Sequence, residues 1–307
     1  MSDPTSRRDF VKKSSFATLG TILLGPSILK ASTLPTKGEL MISVAQWSWH
    51  KSLFAKEMTN LDFAAKARSM EIGAIEYVSV FFDGKVKENA YLEELNMRAA
   101  DNDVKQLLIM VDGEGNLGDS DAAKRDTAVE NHKKWLEAAK TLGCHSIRVN
   151  AAGHGSYDEV HDNAIDGLGK LASMAKPYDL NVIVENHGGY SSDGNWLSSV
   201  IGKVGMDNCG TLPDFGNFCI ERTDDGCANE YDRYKGVKQL MPFAKAVSAK
   251  THDFNDKGYE IHTDFKKMLG IVKKAGYTGY VGIEYEGNKL PEDEGVMATK
   301  KLLEKYI

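Results

Sequence analysis

The chain has 307 residues, of which 42% are hydrophobic, 27% charged and 9% aromatic; this ordinary globular composition excludes a disordered or fibrous protein. A formal net charge of −6, with no long basic run beyond the N-terminus, argues against binding nucleic acid through its phosphates. The four cysteines, Cys144, Cys209, Cys219 and Cys227, form no C-x-x-C pair, which excludes a zinc ribbon or a thioredoxin-type site.

The chain opens Ser6-Arg7-Arg8-Asp9-Phe10-Val11-Lys12, followed by mostly apolar and small residues over 16–29. That run is too short, and too broken by Gly20, Gly25 and Pro26, to span a membrane. A charged start, a short apolar stretch and then polar sequence describe an export signal. The paired arginines with Phe10 two places on resemble the bacterial twin-arginine signal. Residues 1–31 are therefore expected to be a signal peptide cleaved between residues 31 and 35, and 32–307 a single domain. The partner implied is the twin-arginine export machinery, and the expected location is the periplasm or another site outside the cytoplasm reached by export. That route carries folded proteins, often with a cofactor in place, which points weakly to a metal. Cys219 and Cys227 lie in one polar stretch; free, partly buried thiols are the preferred reading, with pairing in an oxidising compartment the alternative.

Short apolar runs then alternate with stretches of helical periodicity. Strands are predicted over 42–47, 74–78, 106–111, 146–150, 181–185, 210–214, 246–251 and 280–285. Helices are predicted over 61–70, 91–102, 121–142, 157–176, 196–204, 230–240, 265–275 and 292–306. Ile72-Gly73, Leu142-Gly143 and Ala275-Gly276 read as helix stops. Repeated strand–helix units favour a parallel sheet, and eight of them match the ~250 residues of a (β/α)8 TIM barrel. An open doubly wound sheet is weakened because no G-x-G-x-x-G follows the first strand.

In such a barrel the chemistry sits at the C-terminal ends of the strands. There the sequence places Glu76 on the second strand, and Arg148 and Asn150 on the fourth, followed by His154. Glu185, Asn186 and His187 end the fifth, Asp214 the sixth with Asn217 beyond it. The seventh carries Ser248, Lys250 and His252, the eighth Glu284 and Glu286. Alternation puts Glu185 with His187, Ser248 with Lys250 and His252, and Glu284 with Glu286. A charge at the end of an apolar strand is costly unless it is paired or metal-bound. Three carboxylates converging on one mouth repel one another without a cation, and carboxylates plus one imidazole suit Mn²⁺, Mg²⁺, Co²⁺ or Zn²⁺. Asp112-Gly113-Glu114-Gly115-Asn116 lacks the full calcium-loop pattern and reads as a turn. Trp47, Trp49 and His50, just after the first strand, offer an apolar wall at the same mouth.

From about Met41 onward these residues resemble the xylose isomerase-like TIM barrels, a group of sugar isomerases, epimerases and inosose dehydratases. The resemblance rests on Val184-Glu185-Asn186-His187, Pro213-Asp214-Phe215-Gly216-Asn217 and Gly282-Ile283-Glu284-Tyr285-Glu286-Gly287. It implies one divalent metal held by Glu185, Asp214, an imidazole and Glu284. Where the family often has His-x-Lys-Asp, this chain has Ser248 in the His place and Lys250 in the Lys place. His252, on the same face, is then the expected third-type ligand; three protein ligands plus water is the alternative. Asn217 stands where epimerases of the group often carry a substrate-binding His. The resemblance also implies a carbohydrate substrate and a tendency to form homo-oligomers.

The chemistry implied is proton abstraction next to a carbonyl through a metal-stabilised enediolate. Glu185 and Glu284 serve as base and acid, Lys250 binds a substrate oxygen or pairs with Glu284, and His187 shuttles a proton. Trp47, Glu76, Arg148, Asn150, His154 and Asn217 are the expected substrate contacts. Export, and the lack of an evident phosphate-cradling glycine loop, favour an unphosphorylated sugar, keto-sugar or glycoside. The function expected is thus a metal-dependent sugar isomerase or epimerase. The alternatives are an exported lyase or hydratase on 3-keto glycosides, by analogy with the fold family, and a non-catalytic sugar-binding barrel.

Overall fold

The computed structural model describes residues 39–307; the expected signal over 1–31 and its cleavage point lie outside them. Among the described residues the strands are β1 Leu40–Ala45, β2 Ala74–Val78, β3 Lys105–Met110, β4 Ser146–Val149, β5 Asn181–Glu185, β6 Cys209–Leu212, β7 Cys219–Thr223, β8 Gly226–Glu230, β9 Val247–Thr251 and β10 Gly279–Tyr285. Eight of them form one parallel sheet in the order β6-β5-β4-β3-β2-β1-β10-β9. The sheet closes on itself through parallel bridges from Thr211 to Ala244 and from Asp214 to Ser248. Ser248 N–H donates to the Pro213 carbonyl at 3.0 Å, and Phe215 N–H to the Ser248 carbonyl at 3.0 Å. The fold is a (β/α)8 barrel, with β9 and β10 as its seventh and eighth strands.

The helices are α1 His50–Phe54, α2 Phe63–Ser69, α3 Asn89–Asp101, α4 Ala122–Asn131, α5 Lys133–Thr141, α6 Tyr157–Ala175, α7 Gly194–Val204, α8 Arg233–Leu240, α9 Phe265–Lys274 and α10 Glu292–Glu304. Their starts follow from short polar side chains that accept backbone N–H groups of the first turn. Asp121 caps α4, Asp193 α7, Asp232 α8 and Asp264 α9. Ser156 and Glu159 form a reciprocal capping box on α6. Each of α2, α3 and α5–α10 packs an apolar residue onto the sheet: Phe63, Leu95, Leu136, Leu168, Leu197, Leu240, Met268 and Leu303, all fully buried. Among the described residues no helix is long and apolar enough to cross a membrane.

The structure departs from the sequence reading in five places. The expected helix over 121–142 is two, α4 and α5, with His132 forming a single tight turn between them. The expected helix over 230–240 starts later, because Glu230 is the last residue of β8 and Asp232 is the cap. Gly143 and Gly276 take the left-handed conformation after their helices, but Glu71, not Gly73, does so after α2. The hairpin β7–β8 was not expected. It is antiparallel, separate from the barrel, and Cys219 and Cys227 form a disulfide across it, correcting the preference for free thiols. The hairpin brings their Cα atoms to 5.7 Å, within the range a disulfide spans.

Candidate active site and metal centre

The barrel interior is polar towards its C-terminal mouth. Register places Glu284 beside Lys250 and Gly282 beside Ser248 across the β9–β10 pair. Glu185 ends β5 and Asp214 follows β6 by two residues. Glu185, Asp214 and Glu284 are almost wholly buried, and each offers an oxygen within 4.8 Å of the others.

Asp214 is held on both sides. Its Oδ1 accepts the N–H groups of Gly216 at 2.7 Å and Asn217 at 2.8 Å, and its Oδ2 accepts from Ser248 Oγ at 2.7 Å. The same Ser248 Oγ lies 2.8 Å from Glu284 Oε2. Glu284 Oε1 is 3.2 Å from Lys250 Nζ, which is also 3.2 Å from Glu286 Oε1 and 3.9 Å from Asp214 Oδ2. Glu185 Oε1 accepts from Asn217 Nδ2 at 3.0 Å. Its Oε2 lies 2.9 Å from Arg148 Nε, yet at an angle that leaves both atoms without a hydrogen bond. Arg148 Nη1 reaches Asp112 Oδ1 at 2.7 Å, and Asn150 Nδ2 the same oxygen at 2.6 Å.

Burial raises the Glu185 and Asp214 carboxyls to about 7. Arg148 opposes the rise at Glu185 and Lys250 opposes it at Asp214, while neighbouring carboxylates reinforce both. At Lys250 burial works against the charge, but Glu284, Asp214 and Glu286 outweigh it and hold the ammonium well above its usual range. Burial also disfavours charge on Glu286, and Lys250 reverses that and lowers it. Desolvation, followed by the Arg148 and Lys250 charges, keeps His187 below the usual imidazole range.

The donor set fits a divalent cation. Three buried carboxylates converge, one of them with an oxygen lacking a hydrogen-bond partner, and among the described residues only Lys250 and Arg148 pair with them. The set is all oxygen, which matches hard ions such as Mg²⁺ and Mn²⁺. His252 is not part of it: β9 ends at Thr251, and the His252 ring packs edge-on to His262 at 6.0 Å.

The structure brings Arg148, Asn150, Lys250, His187 and Asn217 to this centre. Glu76 lies deeper, fully buried, with Ser43 Oγ donating to its Oε1 at 2.6 Å and its Oε2 unpartnered. A Cβ at Gly282 would stand 2.5 Å from Glu76 Oε1, so glycine makes room for this carboxyl. His154 is exposed on the loop after β4, apart from the carboxylates. Trp47 is half-buried, stacks on His50 with centroids 5.0 Å apart and meets Phe54 and Phe81 at 6.0 Å. Trp49 belongs to the core and donates to Asp293 at 2.7 Å.

Sequence reasoning missed three participants. Asp112, read as part of a turn, anchors Arg148 and Asn150; its place just past the third strand was the available signal. Ser248, read as a gap in the ligand pattern, ties Asp214 to Glu284. Glu286, noted only for sharing a face with Glu284, shares Lys250 with it. Beside the centre a cleft of ≈700 Å³ opens between the loops after β4 and β5 and the β7–β8 hairpin.

A closed parallel barrel with three buried carboxylates at its mouth defines a TIM-barrel protein with its candidate site at the C-terminal strand ends. The sequence pattern of the xylose isomerase-like TIM barrel family matches residues 64–306, and the chain belongs to that family. No curated protein sequence matches it significantly. Among solved structures it is similar to a D-psicose 3-epimerase crystallised with D-fructose, at 14% identity and a TM-score of 0.67, covering 87% of this chain and 99% of that one. It is similar to the IolI protein with a bound zinc atom, at 17% identity and a TM-score of 0.65, again over 87% and 99%. It is also similar to 3-keto-D-glucoside 4-epimerase from E. coli, at 14% identity and a TM-score of 0.65, over 87% and 100%. At these identities the likeness is one of fold.

Proposed function

We propose that this protein is a divalent-metal-dependent sugar isomerase or epimerase that moves a proton on a carbon next to a carbonyl. The observation that carries the reading is the convergence of Glu185, Asp214 and Glu284 within 4.8 Å at the barrel mouth. Two of the neighbours named above are sugar epimerases and one holds zinc, which supports it.

Glu185, Asp214 and Glu284 would hold the ion, which when bound polarises a substrate carbonyl as a Lewis acid. The chain's own residues do the rest. Glu185 Oε2, with no hydrogen bond of its own, takes the C–H proton. Glu284, tied to Lys250 and Ser248, serves as the second carboxyl that returns one. Lys250 and Arg148 keep their charge and stabilise negative charge on a substrate oxygen. His187, neutral near pH 7, carries protons at the mouth. Trp47 offers a flat apolar face to a sugar ring. Return of the proton to the other carbon isomerises the sugar; return to the other face of the same carbon epimerises it. The likeness to a 3-keto-D-glucoside 4-epimerase supports 3-keto glycosides as the substrate of one second reading, in which a β-oxygen is expelled instead and the enzyme is a lyase or hydratase.

We also assign the protein to the periplasm through a twin-arginine signal. The Cys219–Cys227 disulfide supports an oxidising compartment.

The test is metal content by elemental mass spectrometry on the protein and on Glu185→Gln, with deuterium uptake from heavy water into aldoses, ketoses and a 3-keto glucoside. The expected result is close to one divalent ion per chain, lost in the variant, and deuterium in at least one sugar. No bound metal and no C–H exchange in any sugar would sink the reading.

A further inference from the structure

The β7–β8 hairpin is an insertion between the sixth and seventh barrel strands that the barrel itself does not need. Its strand β7 packs against the turn over Gly189–Ser192. That turn is tied down: Ser191 Oγ accepts the His187 N–H at 3.0 Å, and Ser192 Oγ accepts the Gly188 N–H at 2.9 Å while donating to the Asn217 carbonyl at 2.8 Å. The disulfide pins the hairpin's two strands. Between hairpin and turn lies the ≈700 Å³ cleft, inside the ~300–1,000 Å³ range of small-molecule sites.

The lining has a definite chemistry. Ala151, Tyr190 and Ile220 give apolar walls, and Glu221 and Asn229 on the hairpin give polar edges. At the inner end stand His187 and Asn150. Asn150 Nδ2 is engaged by Asp112, but its Oδ1 is buried and unpartnered. Among the described residues no lysine or arginine lines the cleft, and Glu221 is its only carboxylate. An anionic group such as a phosphate therefore finds no counter-charge there.

We propose that this cleft is a binding subsite for an uncharged second ring, so that the substrate is a glycoside or disaccharide whose reacting ring lies over the carboxylates. The inference rests on the sugar-enzyme reading above and names its substrate class. Asn150 marks the junction of the two rings: it faces the cleft and, through Asp112 and Arg148, is linked to Glu185. The hairpin side chains grip the second ring by apolar contact with Ile220, with the Asn229 amide donating to a ring oxygen and the Glu221 carboxylate accepting from a ring hydroxyl. The disulfide fixes the wall in advance, which lowers the ordering cost of binding.

The experiment is isothermal titration of the metal-loaded protein with D-glucose, methyl β-D-glucoside, cellobiose, maltose, trehalose, sucrose and glucose 1-phosphate. It is repeated on Ile220→Trp and Asn229→Trp, which fill the cleft from either strand of the hairpin, with thermal melts to show that both are folded. The expected result is that at least one disaccharide binds about tenfold more tightly than glucose, a difference of about 1.4 kcal/mol. Both variants bring it down to the level of glucose and leave glucose unchanged, and glucose 1-phosphate gains nothing over glucose. The proposal is overturned if no disaccharide exceeds glucose, if the variants weaken mono- and disaccharide alike, or if the phosphate ester binds best. Deuterium exchange separates the two readings. Exchange into a monosaccharide with no gain from a second ring removes the subsite and keeps the enzyme. Disaccharide binding lost in both variants, with no exchange into any sugar, keeps the subsite and removes the isomerase.

Discussion

Ser248 Oγ lies 2.7 Å from Asp214 Oδ2, and its one hydroxyl proton must also serve Glu284 Oε2, 2.8 Å away. A hydroxyl donates once, so the second carboxylate needs a proton of its own or a cation. The serine thus ties two members of the centre together without adding nitrogen to the donor set.

An all-oxygen set ranks metals differently from one with imidazole. Zn²⁺ leads Mn²⁺ and Mg²⁺ on most donor sets, so its lead in raising the melting temperature of metal-stripped protein is expected to be small at this all-oxygen site. Ser248→His is expected to move the preference towards Zn²⁺. Thermal shift and elemental analysis read both, and a zinc lead that Ser248→His leaves unchanged would contradict the assignment.

The pH dependence follows from the buried carboxyls. Burial raises Glu76, Glu185 and Asp214 from their ordinary 4.5, 4.5 and 3.8 to about 7. A carboxyl with a raised folded value keeps a proton that the unfolded chain has released. Its stabilising contribution is present below the unfolded value and is lost as pH rises through about 7, with a slope of up to about 1.4 kcal/mol per pH unit for each group. Metal-stripped protein should therefore melt at a lower temperature at pH 8.5 than at pH 6. Bound metal should reduce the difference, and Glu76→Gln should flatten the slope by one group. A metal-free melting temperature that rises from pH 6 to 8.5 would show these carboxyls to be ionised throughout.

Arg148 is buried between Glu185 and Asp112. Arg148→Met leaves a buried acid without its counter-charge, and breaking such a pair costs about 3–5 kcal/mol. Chemical denaturation should read that loss. Adding Glu185→Gln should restore part of it, because the uncompensated charge is then gone. A loss below about 1 kcal/mol would mark the pair as solvated, like a surface ion pair.

The hairpin forms a sheet of its own outside the barrel. Reducing Cys219–Cys227 should speed amide exchange across β7 and β8 and leave exchange in the barrel strands slow. Mass-resolved hydrogen exchange checks this. Equal acceleration in β5 and β10 would mean that the disulfide supports the whole fold.

Much of this architecture was legible because its signals are local. β2 and β5 lie over the residues expected, and the other six barrel strands differ by two residues or fewer at either end. Apolar runs of strand length separated by helical periodicity leave few parallel arrangements, and glycine stops and Asp caps mark the boundaries. Glu185 and Glu284 were legible for the same reason, since an acid closing an apolar strand is expensive unless it has a partner. The hairpin was not, because Cys219–Glu230 is polar and exposed on most of its length and carries no alternating apolar face. Asp112 read as a turn because nothing adjacent in sequence needs it; its partners Arg148 and Asn150 lie 36 and 38 residues away.

The sequence by itself determined the class of fold, the end of the barrel where the acids gather, and the identity of the three carboxylates. Periodicity and burial cost act on each segment separately and can be read one segment at a time. Only the tertiary structure decided the ring closure between β6 and β9 and the sharing of Lys250 by Glu284 and Glu286. It alone joined Cys219 to Cys227 and left His252 out of the carboxylate cluster. These depend on the direction and distance at which side chains from different strands meet once the barrel has closed, and no property of a single segment carries that information.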